Sequence, residues 1–266
     1  MNGTKPKRAA NALLSGLLLL LALAAPGCKL RPPPDPNDPK DVGVLQIDVL
    51  QRNLRQASQA VNERVANGEI TDEEGKKLLA ESANKLLGSV DVGKINAVDA
   101  WKYGDLFKTA ERWEQARQAY ELAVATAAKA KNEDRRVNDS LRLALALAHL
   151  GKIDEAIEAA RKTFVTPPSD KAPILMSVLY EVVPAAEGKG KDAELAALLE
   201  DAIQQHEKVI VNPDSDSGRS FLAAKRFHLE AAWEKVTSLL LSVGKRDEAL
   251  EAAKRAKQFL ANKQRL

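Results

Sequence analysis

The chain of 266 residues is 29% charged and only 4% aromatic, long enough for one or two domains whose core must be built from Ala, Leu and Val, a composition suited to closely packed helices. A single cysteine, Cys28, excludes a disulfide framework and a cysteine-based zinc site, and the histidines His149, His206 and His228 lie too far apart in sequence to suggest a metal centre. The net charge of +3 comes from Lys5, Lys7 and Arg8 in the first 27 residues, which hold no acid; bases and acids balance over the rest, so the charge gives no case for nucleic acid, which needs a concentrated basic face.

An apolar run from Ala12 to Ala25, broken only by Ser15 and Gly16, follows those three bases and ends in Ala25-Pro26-Gly27-Cys28. This pattern predicts a secretory signal peptide over 1–27. As a helix the run would rise about 21 Å, short of the ~30 Å hydrocarbon core, which disfavours a retained span. The cysteine at the end of the small residues resembles the lipobox of bacterial lipoproteins. Gly27 fits that pattern; Ala25 stands where the family usually has Leu, and Pro26 departs from it. The resemblance implies that Cys28 becomes the first mature residue and carries acyl chains, tethering the chain to a membrane. Lys29 in place of an acid resembles lipoproteins sorted to the outer membrane of Gram-negative bacteria. The alternatives are a plain secreted protein with an incidental cysteine and an uncleaved anchor.

Residues 28–43 are expected to form the lipidated cysteine that the resemblance implies and a spacer, with five prolines between Lys29 and Val42. Proline removes a donor and fixes φ, so this stretch is expected to be extended, at about 3.1 Å per residue and roughly 40 Å long. The next segment, 44–90, is expected to be a helical hairpin. Ile47, Leu50, Leu54, Ala57, Val61 and Val65 recur at helical steps, Asn67-Gly68 makes a turn, and Thr71 caps a second helix over about 72–87.

From 91 to 266 the chain repeats itself. GKIDEAIEAA at Gly151 and GKRDEALEAA at Gly244 share eight of ten residues, with a degenerate copy, GKGKDAELAALL, at Gly188. Each follows an apolar helix: Leu141 to Leu150, Ile174 to Val183, and Trp233 to Val243; an earlier unit pairs Trp101–Phe107 with TAERWEQARQAYELA. Periodic helix–turn–helix units predict a solenoid, because one pair cannot bury its own face. The residues resemble the tetratricopeptide repeat, a family with a repeat of about 34 residues. Counted from Ala97, Gly104, Ala116, Tyr120 and Ala123 match its small and aromatic positions; from Val137, Ala144, Gly151 and Ala156 do; from Glu230, Trp233, Ala249, Ala253 and Ala256 do. The unit from Ile174 fits poorly, and Pro184 is expected to end its first helix early. The key alanines 116, 156, 193 and 249 are spaced by 40, 37 and 56 residues. The excess is expected in loops over about 130–137, 164–173 and 207–220. The fold expected is therefore all-α: a tetratricopeptide-like α-solenoid behind a helical hairpin, closed by a C-terminal capping helix with Ala249, Leu250, Ala253, Ala256 and Leu260 on one face.

The sequence offers no catalytic constellation: no Gly-rich phosphate loop, H-E-x-x-H or serine elbow occurs. Neither a metal nor a cofactor is expected. NPDSDSG lacks the glycine and final acid of a calcium loop and reads as a solvated Asx-rich turn. His149 is expected to pack at the end of an apolar face, and His206 and His228 to lie on the surface. The tetratricopeptide resemblance implies a groove for partner proteins or peptides, lined by Trp101, Asp105 and Lys108, then Asn138, Leu141, Leu145 and His149, then Glu234, Ser238 and Leu241. The expectation is a lipid-anchored cell-envelope scaffold. Its alternative is a small-ligand or peptidoglycan-fragment binding module on the same solenoid. Convergent polar groups would favour the second, an open apolar groove the first.

Overall fold

The structure is a computed structural model describing residues 47–88, 90–165 and 174–261, with Phe259 and Leu260 described by backbone alone. The expected signal peptide over 1–27, Cys28, the expected spacer, most of the expected 164–173 loop and residues 262–266 lie outside the described residues. Among those described, the fold is all-helical and contains no strand, and no helix is long and apolar enough to cross a membrane.

Helices α1 (Ile47–Ala66) and α2 (Asp72–Leu87) form a hairpin. Thr71 caps α2 by accepting from the Glu74 amide, while the Glu74 carboxylate accepts from the Thr71 amide. This reciprocal box fixes the helix start, and those bonds hold the Glu74 carboxyl below its usual range. The hairpin is fastened to the first helix pair of the repeating region. Ala83 and Leu87 enter the core beside Leu106 and Phe107 of α3 (Ala100–Thr109). The Asn84 side-chain amide donates to the Ala110 carbonyl at 3.0 Å, Arg112 Nε donates to Asn84 Oδ1 at 2.7 Å, and Lys102 pairs with Asp48 at 2.7 Å.

Helix α3 folds back on α4 (Trp113–Lys129), α5 (Glu133–His149) on α6 (Ile153–Arg161), and α10 (Asp216–Ser242) on α11 (Arg246–Ala261). Between them the helical stretch of α7 (Ile174–Ser177), a π-helical turn (Val178–Val182) and α8 (Val183–Ala186) pairs with α9 (Asp192–Glu207). Consecutive pairs also touch, α4 against α5 and α9 against α10. The turns are built alike. The amides of Arg112, Lys152 and Lys245 donate to carbonyls five residues back, closing the helix end around a left-handed residue. That residue is Gly151 or Gly244 in two cases and Glu111 in another. Two apolar clusters make the core: the hairpin with α3, α4 and Ala146 of α5, and the other buried apolar residues from Val137 of α5 to α11; Trp113 and Leu143 pack against both.

Helix contact inside the first pair depends on Gly104. A Cβ there would stand 2.3 Å from Tyr120 Cε1, so only glycine lets the Tyr120 ring lie against α3. Ala116, Ala156 and Ala249 are buried, as nesting requires, whereas Ala193 is only half-buried.

Several expectations need correction. Residues 130–137 are not a loop: Ala130–Asn132 alone separate α4 from α5, and the extra length is helical. The 207–220 break shrinks to 208–215, because Ser215 caps α10 by accepting from the Gly218 amide. Within that connection the Asp214 amide donates to Asn212 Oδ1, an Asx turn. Pro184 does not end its helix, which runs on to Ala186. The turn ahead of it widens, with the Val183 amide donating to Val178 five residues back, so a residue lacking an N–H costs no regular helical bond there. Helix α11 is an incomplete cap. Among its described side chains Ala249 and Ala252 are buried, while Leu250 is 56% exposed and Ala253 is exposed, because no further described helix covers that side.

Candidate functional site

Two places gather the residues expected to line a groove. Trp101 and Asp105 of α3, Tyr120 of α4 and three residues of α5 not singled out from the sequence, Arg135, Asp139 and Arg142, form a connected set. Arg142 Nε pairs with Asp105 Oδ1 at 3.2 Å and its Nη1 with Asp139 Oδ1 at 3.1 Å. Arg135 Nε reaches Asp139 Oδ2 at 3.3 Å, and the Tyr120 hydroxyl donates to Asp105 Oδ1 at 2.8 Å. The Trp101 ring lies under both guanidiniums, with centroid distances of 5.2 Å to Arg142 and 5.9 Å to Arg135, within cation–π range. Burial raises the Asp139 carboxyl above its usual value against the pull of Arg142 and Arg135, and burial followed by the Asp105 charge pushes the Tyr120 phenol well up. Two arginines therefore offset two carboxylates, and each already has a partner. The spacing Arg135, Asp139, Arg142 was the available signal, since residues three and four apart share a helix face.

Leu141 and Leu145 are buried in the second apolar cluster with Ile174, Leu175, Val178 and Val182, so the following helix occupies the surface they would have offered. Asn138 and Lys108 are half-buried. His149 is exposed yet stacks flat on Trp113, with ring centroids 3.6 Å apart and planes 4° from parallel. Burial and the nearby Lys189 charge lower its pKa.

The second place is a cleft of about 870 Å³ between α10 and α11. Glu230, Trp233, Glu234, Thr237, Ser238 and Leu241 line it from α10; Ala253, Ala256, Lys257 and Ala261 line it from α11. The three partner-binding residues expected on the last unit meet here, and Leu241 is 53% exposed. The cleft exists because Ala253 and Ala256 are too small to fill the space opposite α10. In the first pair the Tyr120 ring occupies the corresponding interval. Trp233 is nearly buried, with an indole N–H that finds no acceptor among the described residues.

His206 and His228 are not both surface residues. His206 is 3% exposed, with neither ring nitrogen hydrogen-bonded among the described residues and its ring 4.8 Å from Phe221. Burial, then the charge of Lys225, lowers its pKa to about 4. His228 is half-buried, its Nδ1 3.0 Å from the Tyr180 hydroxyl. Among the described residues no cluster of three His, Cys, Asp or Glu side chains could hold a metal ion. Cys28 lies outside the described residues.

No known protein-family model matches the chain, and no curated protein matches it.

Proposed function

We propose that this chain is a lipid-anchored scaffold of the bacterial cell envelope that binds partner proteins or peptides through a tetratricopeptide-like array of helix pairs. In a Gram-negative host its place is the periplasmic face of the outer membrane. The cleft between α10 and α11 carries the reading: it is open, walled largely by apolar or small side chains, and bordered by Glu234, Ser238 and Leu241. Helix pairs that fold back at similar turns and touch their neighbours support the array. The Ala-Pro-Gly-Cys sequence after an apolar leader supports acylation at Cys28, and acyl chains at ~0.8 kcal/mol per buried CH₂ make a durable tether.

The second reading, a small-ligand or peptidoglycan-fragment module, would call for polar groups left free to meet a ligand. The polar residues that converge from α3, α4 and α5 pair with one another instead. Capture on the mature chain from its own envelope extract, followed by mass spectrometry, tests the choice. Stoichiometric recovery of a protein is expected; a co-purifying glycan or small molecule with no protein would reject the scaffold.

A further inference from the structure

Successive helix pairs treat the same register positions differently. Counted from Ala97, Val137, Ile174 and Glu230, the fifth and ninth residues are Trp101 and Asp105, Leu141 and Leu145, Val178 and Val182, and Glu234 and Ser238. Arg142 and Arg135 of the following pair cover Trp101, and Arg142 also pairs with Asp105. Leu141, Leu145, Val178 and Val182 are buried in the apolar cluster that includes the following helices. Only at the last pair are both positions exposed, in a cleft that no described residue fills.

We propose that this cleft seats an amphipathic helix of a partner protein, with arginine or lysine along one edge, in the role that α5 plays over α3. The lining runs from Glu230 to Leu241, about 16 Å along α10 at 1.5 Å per residue. That length accommodates three helical turns with apolar anchors at i, i+3 or i+4, and i+7. The floor of Trp233, Leu241, Ala253 and Ala256 takes the anchors. Glu234 sets a negative edge on α10, beside Glu230, which already pairs with Arg226 at 2.8 Å, and Lys257 sets a positive one on α11. The bound helix therefore places its bases toward α10 and an acid or neutral side chain toward α11. Within the chain, the Asp105 carboxylate and Trp101 ring are met by arginines from the helix that covers them, which is the complement proposed for Glu234. A second copy joined through the same cleft fits poorly, because two concavities lined by alanine would face each other with nothing to fill either.

The inference rests on the scaffold reading and narrows it to one surface and one partner chemistry. Its probe is a labelled peptide copying Glu133–His149, the chain's own amphipathic helix with Arg135 and Arg142 flanking Asp139 along one edge, titrated against the full chain. Saturable binding is expected, weakened at least tenfold by Leu241→Glu and by Glu234→Lys. Both residues are exposed, so each variant should keep the wild-type circular dichroism and melting curve. If one does not fold, the other carries the test. A peptide with Arg135→Glu and Arg142→Glu should bind wild type poorly and regain affinity for Glu234→Lys. No saturable binding, or equal binding by both variants, would overturn the proposal. So would a dimer of the peptide-free chain that Leu241→Glu dissociates, since the occupant would then be a second copy. An envelope protein captured equally well by wild type and Leu241→Glu would refute this surface and leave the scaffold standing; no captured protein at all would remove the scaffold itself.

Discussion

His206 makes the stability of the chain depend on acidity in a calculable way. Its imidazole lies near the end of α9 against Phe221 of α10, nearly buried and with no hydrogen-bond partner among the described residues. The titratable groups acting on it are Lys225 and His228, both from α10. Burial first, then the Lys225 charge, then His228 bring its pKa to about 4, against 6.5 for an unperturbed histidine. The folded pKa is therefore the lower one, and between the two values the unfolded chain binds more protons. The contribution is intact above pH 6.5 and is lost progressively as pH falls toward 4. At about 1.36 kcal/mol per pH unit it amounts to about 2 kcal/mol at pH 5 and about 3 kcal/mol once pH 4 is reached. That is a large share of a domain stability of roughly 5–15 kcal/mol.

Urea unfolding followed by tryptophan fluorescence, at pH 7.5 and pH 5.0, measures this directly. Wild type should lose about 2 kcal/mol more between the two conditions than His206→Leu, whose side chain fills the site but cannot take a proton. Carboxylates titrate in both proteins and cancel in the comparison. Parallel losses in wild type and variant would refute the assignment, because the destabilising proton would then bind elsewhere.

Three further outcomes are expected from the packing and the leader. Gly104→Ala should lower stability by about 1–3 kcal/mol through overpacking against Tyr120, despite the better helix propensity of alanine. In a Tyr120→Leu background most of that cost should vanish, and an unchanged cost in a double-mutant cycle would contradict the contact. Gly151→Ala should cost about 1 kcal/mol, because φ is +76° and the added methyl meets nothing within 4 Å, leaving backbone strain alone; equal melting temperatures would show that the turn relaxes. Cys28→Ser should shift the protein from the membrane pellet to the soluble fraction, and unchanged retention in the pellet would contradict acylation.

Much of the helical order is legible in the sequence because the signals are local. Thr71 with Glu74 marks the start of α2, and the repeated Gly-Lys-x-Asp-Glu-Ala marks two of the turns. The same turn at Glu111 is harder to see, since its left-handed residue is not glycine. The polar neighbours Gln205 and Glu207 make His206 look like a surface residue. Leu199, Ala202 and Ile203 precede it by seven, four and three residues, and that helical stripe is the better guide to its burial. The early start of α10 is obscured because Asp216–Arg226 shows little apolar periodicity. Its anchors there are single contacts: Phe221 on His206, and Lys225 Nζ donating to the Glu207 carbonyl at 3.3 Å.

The candidate site is legible only in register. The sequence can indicate that Trp101, Leu141 and Glu234 occupy equivalent places, but whether each faces solvent depends on the helix stacked beyond it. That helix covers Trp101 with guanidiniums and buries Leu141 in hydrocarbon, and among the described residues it has no counterpart over Glu234. Side-chain chemistry obeys the same order. An aromatic ring and a carboxylate suit a cover of arginines, and two leucines suit an apolar cover. Glu234, Ser238 and Leu241 together suit neither bulk water nor a purely greasy cover: Leu241 gains from being covered, while Glu234 would need a cationic partner once water is excluded. A helix carrying both an apolar stripe and a basic edge satisfies the two requirements at once, which is why the partner is proposed for the cleft between α10 and α11 rather than for the covered positions of Trp101 and Leu141.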